Sequence, residues 1–199
     1  MPNNIAEFMK AAPEPFPDIN YGPGVRCSAH LVDGTFLPCV ILRLSEPTTR
    51  LALRRFKELS PTPLRTPKNP SYEDVVKTFV AHGNRVNAYD IAKVEESRFA
   101  IPLSLLRQIH GETTMAWTGF VLEMKDKSCF SFGTPFLTQF FNLPANYTFQ
   151  DVAQVHNHSY VSTTGAIASL REGSSTQPQD YDVRQVFRER PYFVCNVDA

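Results

Sequence analysis

At 199 residues the chain is long enough to bury a core without disulfide or metal staples. Lys plus Arg and Asp plus Glu balance at 20 each, so net charge draws the protein to neither nucleic acid nor membrane, and any such partner must be held by a local patch. No apolar run approaches the ~20 residues that span a bilayer. Residues 1–15 show no secretory leader pattern, and Cys27, Cys39, Cys129 and Cys195 lack the spacing of a disulfide framework or zinc ribbon. A cytoplasmic, reducing setting is the expectation, with no cofactor and four free thiols.

Residues 4–12 fit a short amphipathic helix, with Ile5, Phe8, Met9 and Ala12 on one face, ended by an extended arm at Pro13, Pro15 and Pro17. Gly22-Pro23-Gly24 then opens a hairpin, VRCSAHL and FLPCVILRL around Asp33-Gly34, a pair that favours a two-residue type I′ turn. In that register Leu31 faces Phe36, Ala29 faces Pro38 and Cys27 faces Val40, which puts Cys27 and Cys39 on opposite faces. Pro38 has no N–H to donate, so its strand should be an edge strand or carry a bulge.

A helix is expected from about Glu46 to Leu59, with Ala52, Leu53, Phe56 and Leu59 inward and Arg50, Arg54 and Lys57 outward. The proline-rich stretch 60–71 reads as a long loop, and Ser71 with Asp74 begins another helix. That helix ends at His82-Gly83, and one from about Pro102 ends at His110-Gly111. Each is followed by a strand, RVNAYDIAKV and MAWTGFVLEM, which hints at a repeated helix–strand unit and allows a parallel pair.

The stretch from Met115 to Phe149 organises the remainder. MAWTGFVLEM and CFSFGT pair around the Lys125-Asp126-Lys127 turn, with Trp117, Val121, Phe130 and Phe132 on one face and Phe120, Leu122, Met124 and Cys129 on the other. Apolar residues on both faces predict a hairpin covered on two sides and a mostly buried Trp117. Thr134-Pro135 suits the start of a helix ending near Pro144, with Phe136, Leu137, Phe140 and Phe141 as its buried stripe. Residues 149–160 fit helix or strand equally, 163–180 read as a polar loop, and VFRERPYFVCNV as a last strand.

The expected class is α+β, a mixed or mainly antiparallel sheet built from two hairpins with short covering helices. The expected divisions are an N-terminal helix and arm over 1–21, a core over 22–161, and a loop with returning strand over 162–199.

Three functions compete. The favoured one is a non-catalytic cytoplasmic binding protein, whose partner is another protein or a second copy of itself. The second is a hydrolase-like enzyme using His156 and His158, with or without metal: on a strand the two imidazoles share a face, on a helix they diverge. No metal is favoured, because no third ligand has a spacing clue. The third is a nucleic-acid binder through the basic stretch 43–68, gripping phosphate with Arg50, Arg54 and Lys57; a solvated helix face is preferred, since no aromatic stacking pattern accompanies the charges. No P-loop, dinucleotide, zincin or G-x-S-x-G signature is present.

Overall fold

The computed structural model describes residues 3–12, 14–18, 21–58, 83–114, 116–135, 138–170 and 178–198. In chain order its elements are α1 (Asn3–Ala11), β1 (Gly24–Leu31), β2 (Phe36–Leu44), α2 (Ser45–Glu58), β3 (Ile91–Glu95), α3 (Leu103–Leu106), β4 (Thr118–Met124), β5 (Cys129–Thr134), β6 (Val152–Asn157), β7 (Ser159–Val161), β8 (Ile167–Ser169), β9 (Phe187–Arg188) and β10 (Phe193–Val197). The class is mixed α+β, mostly strands in open mixed sheets with few short helices. Among the described residues no helix is long and apolar enough to cross a membrane. The chain forms two compact units, residues 1–97 with 192–199, and residues 98–191.

In the first unit the strand order is β10-β2-β1-β3. Alternation along the strands sends Val25, Cys27, Ala29, Val40 and Leu42 into one core, where β3 adds Ile91 and Val94 and β10 adds Cys195 and Val197. Helix α1 covers this cluster as its 3.6-residue stripe requires, with Ile5 fully buried and Phe8, Met9 and Ala12 against it.

The turn between β1 and β2 is one residue longer than Asp-Gly suggests. Leu31 N–H donates to Thr35 O at 2.8 Å and Gly34 N–H to Leu31 O at 3.0 Å, with Gly34 at φ +89°, so the loop is the three residues Val32-Asp33-Gly34. Ala29 therefore faces Leu37 and His30 faces Phe36, in place of the expected partners. A bulge between Cys27 and Ala29 restores the Cys27–Val40 pair. The extra residue is in β2, where Pro38 and Cys39 oppose Ser28 alone, so the proline without a donor falls within the bulge, and the Pro38 carbonyl accepts from Ser28 Oγ (3.1 Å) and Ser97 Oγ (2.6 Å). Strand β2 is thus bulged and internal.

In the second unit the order is β6-β4-β5-β9. The turn again holds three residues: Met124 N–H donates to Ser128 O (2.8 Å), Lys127 N–H to Met124 O (2.9 Å), and Lys127 has φ +74°. Phe120 consequently faces Phe132 and Leu122 faces Phe130. Directly opposite residues share a face, so Phe130 and Phe132 join Phe120, Leu122 and Met124 in one core. The face assignment expected from the sequence was off by the one residue that flips a strand. The rings of Phe120, Phe132 and Phe141 meet at centroid distances of 5.5, 5.7 and 6.0 Å, each such pair adding about 0.5–1.5 kcal/mol beyond area burial.

Trp117 is partly buried. It lies across Gly119 and Gly133, where a Cβ on Gly133 would come within 2.1 Å of the indole.

Other expectations also change. Among the described residues of 134–144 there is no helix: Thr134 ends β5, and Phe140 and Phe141 form isolated bridges to Ala100 and Glu189. Phe136, Leu137 and the expected loop and helix over 60–82 lie outside the described residues. Residues 152–157 are strand, and 167–169 pair with β7 instead of forming loop. The last strand is two strands in different sheets, β9 and β10, broken at Pro191. Strands β3 and β4 lie in different sheets, as do the β1–β2 and β4–β5 pairs.

The two units share one topology. In each, an antiparallel pair (β1–β2, β4–β5) gains an antiparallel strand on its first member (β3, β6) and a parallel strand on its second (β10, β9). The registers match: Phe193 faces Val40 where Phe187 faces Phe132, and Leu31 faces Ile91 where Met124 faces Val152. A 3-10 turn precedes the third strand in both, and its last carbonyl receives a hairpin-loop N–H, Val32 to Asp90 (2.9 Å) and Lys125 to Asp151 (2.8 Å). The repeat hinted at by the His-Gly pairs sets β4 against β3; the one in the structure sets β4 against β1.

Phe132 is 1% exposed at the centre of the aromatic cluster. Phe132→Ala should cost about 3–5 kcal/mol, read from urea unfolding followed by the fluorescence of Trp117, the only tryptophan. An unchanged midpoint would contradict the packing.

Candidate functional site

The residues nominated from the sequence do not form one site. Arg50 and Arg54 are exposed on α2, Arg50 pairs with Glu46 one turn earlier, and the Lys57 side chain lies outside the described residues. His156 is on β6, beside β4, with Nε2 3.0 Å from Glu123 Oε2, while Lys127 Nζ is 3.0 Å from Oε1 of the same carboxylate. His158 sits at the corner between β6 and β7 with φ +49°, which breaks the strand alternation that would have put the two imidazoles on one face. Its Nδ1 is 3.2 Å from Thr113 Oγ1. Among the described residues no three His, Cys, Asp or Glu side chains cluster as metal ligands.

The His156–Glu123 pair has a counterpart at the matched position of the first unit, with the two residue types exchanged. There His30 Nε2, on β1, is 3.2 Å from Glu95 Oε1, on β3, and Lys93 Nζ is 2.8 Å from Glu95 Oε2. Both pairs tie a third strand to a first strand. This recurrence marks His156 as a cross-strand tie.

A different set of polar groups converges in the first unit. Along β2, Val40 and Leu42 enter the core, so Ile41 and Arg43 face the other way. Arg43 is opposite Gly24, where a Cβ would come within 2.5 Å of Ile41 Cγ2 and 3.5 Å of Arg43 Nε. The absent side chain gives Ile41 its room.

The Arg43 side chain is only 5% exposed, with Nη2 2.9 Å from Asp18 Oδ2. Asp18 Oδ1 also accepts the Tyr21 N–H at 3.0 Å, and the guanidinium lies 5.3 Å from the Tyr21 ring centroid. Arg43 Nε has no hydrogen-bond partner among the described residues. The opposite wall is the segment beside β10: Val194 N–H donates to Asn84 O (2.9 Å), Val86 N–H to Val194 O (3.1 Å), and Asn84 Nδ2 to Tyr192 O (3.1 Å). Burial pushes the Tyr192 phenol up, with Arg43 pulling weakly the other way, so the phenol keeps its proton at neutral pH.

Between these walls is a cleft of about 230 Å³ lined by Arg43, Arg85, Asn84, Asn196, Tyr21 and Tyr192, with Asp18 and Val194. A second cleft of about 530 Å³ shares Arg85, Val194 and Asn196, adds the carboxylate of Asp198, and runs past Asn87 to Tyr89. Guanidinium, amide and phenol groups bind polar ligands by donating hydrogen bonds; none is a ready nucleophile at neutral pH. Sequence reasoning missed this set. Its one local signal is a charged residue between Leu42 and Leu44 in an otherwise apolar strand, and Arg43 was instead grouped with the basic stretch that follows.

The four cysteines are free, and Cys27, Cys39 and Cys195 are buried. Burial pushes the Cys195 thiol up to about 11 and Cys27 higher still, which makes both unreactive at neutral pH. Comparisons with protein-family models, curated proteins and solved structures find no match to the chain.

The Lys127 ammonium first, and His156 second, hold the Glu123 carboxyl below its ordinary value of 4.5. A carboxyl depressed on folding contributes stability above its ordinary value and loses it as pH falls through the folded value. Glu123→Gln should therefore make the fall of the unfolding midpoint below pH 4.5 shallower than in the wild type. Superimposable acid limbs would contradict a stabilising pair.

Proposed function

We propose that the protein acts by binding, without chemistry of its own, in a cytoplasmic setting that suits its four free thiols. The observation that supports this reading is the cleft of the first unit, where donors from the segment at Asp18–Tyr21, from β2, from residues 84–85 and from residues 192–196 converge on one small space. The hydrolase reading has less behind it, because His156 and His158 are held by different partners. The nucleic-acid reading rests on Arg50, Arg54 and Lys57, and Arg50 is already paired within its helix.

Thermal unfolding of the full chain against neutral, cationic and anionic small solutes at constant ionic strength tests the reading. A ligand at a hundredfold excess over Kd adds about 2.7 kcal/mol, a shift of several degrees. A saturable rise with one class of solute is expected; no saturable rise with any class would contradict it.

Self-association is a second reading, supported by exposed apolar residues at one end of the first sheet. Val32 is 67%, Phe36 48% and Tyr89 77% exposed, and the Val32 N–H bonds the carbonyl of Asp90, the residue after Tyr89. Each sheet is then organised around its central hairpin, with this hairpin's tip offered to a second copy. Sedimentation should show a concentration-dependent dimer that Tyr89→Lys weakens; a monomer at high micromolar concentration would remove the idea.

A further inference from the structure

We infer that the cleft beside Arg43 is a site for a small organic oxyanion, a carboxylate or a phosphate monoester, whose body extends into the adjoining cleft towards Tyr89. This rests on the binding reading above and gives it a ligand class.

Charge is the first argument. Among the described residues lining the smaller cleft, two guanidiniums, Arg43 and Arg85, stand against one carboxylate, Asp18. The remaining polar lining, Asn84, Asn196, Tyr21 and Tyr192, can donate hydrogen bonds, and the Tyr192 phenol stays protonated because burial opposes its ionisation. A lining rich in hydrogen-bond donors complements an acceptor-only group.

The second argument is an unsatisfied donor. A buried guanidinium carries a large desolvation cost, which one carboxylate at 2.9 Å offsets only in part while Nε is left without a partner among the described residues. An acceptor bound in the cleft would reduce that cost.

Size is the third. About 230 Å³ is below the ~300–1,000 Å³ of clefts that hold drug-sized ligands, so the smaller cleft suits an anionic head group. The shared Arg85, Val194 and Asn196 make the larger cleft its continuation.

The test is titration of the full chain with sodium acetate, inorganic phosphate and phenyl phosphate at constant ionic strength, read from the amide resonances of Val194 and Asn196. Glucose serves as the neutral probe. Saturable shifts with acetate and not phosphate identify a carboxylate site, and the reverse identifies a phosphate site. In Arg43→Met the affinity should fall about tenfold or more. Should that variant unfold, Asn196→Asp, which adds a negative charge to the wall, should produce the same loss with Trp117 fluorescence unchanged. Anion binding equal in wild type, Arg43→Met and Asn196→Asp would overturn the site. Saturation by glucose with no response to any anion would overturn the oxyanion class and keep the binding reading; no response to any probe would overturn both.

Discussion

The structure depends on the pairing needs of β2. Its run of Leu37, Cys39, Val40, Ile41, Leu42 and Arg43 is buried on both faces, so its backbone groups must be satisfied by strands on either side. On one side β1 pairs with it directly. On the other side the partner is β10, from the far end of the chain, so the whole second unit lies in sequence between the third and fourth strands of the first. The cleft follows from that closure, since Tyr192, Val194 and Asn196 arrive with β10 and are joined by Asn84 and Arg85 through the hydrogen bonds around Val194.

The same solution occurs twice with different side chains. Both loops place a residue at positive φ after an aspartate whose carboxylate accepts a backbone N–H two residues on, Asp33 to Thr35 and Asp126 to Ser128. Glycine fills that position in the first unit, and Lys127 in the second at some conformational cost. The cross-strand tie keeps its geometry while histidine and glutamate change places. What the units do not share is the region around residues 84–86 and 140–142, which lines a cleft in the first unit and in the second carries the buried Phe140 and Phe141 beside an Asn142–Arg190 hydrogen bond. A shared framework with one divergent region is what a binding function grafted onto a scaffold requires.

Much of this architecture was legible from periodicity. The stripe Ile5, Phe8, Met9 and Ala12 located α1, Pro38 announced the bulge, and the mixture of elements indicated α+β. The failures trace to single residues. The Asp33-Gly34 loop takes in Val32 as a third residue, and across the Lys125-Asp126-Lys127 turn Phe130 and Phe132 pair with Leu122 and Phe120 and so lie on their face, one residue out of step with the expected alternation. Phe140 and Phe141 fit a helical stripe equally well as isolated bridges, because spacing alone cannot tell a buried helix from a buried extended segment. The boundary at 97/98 has no proline- or glycine-rich linker to mark it. The cleft was illegible for a different reason: its residues come from four separated segments, and only the parallel pairing of β10 with β2 brings them together.

Amide hydrogen exchange on the full chain and on a chain ending at Pro191 tests most directly whether β10 closes the first unit. Removal of β10 should expose the edge of β2 and abolish protection at Val40, Leu42 and Val94, while Phe120, Leu122 and Phe132 keep theirs. Unchanged protection across β1, β2 and β3 in the shortened chain would contradict the account.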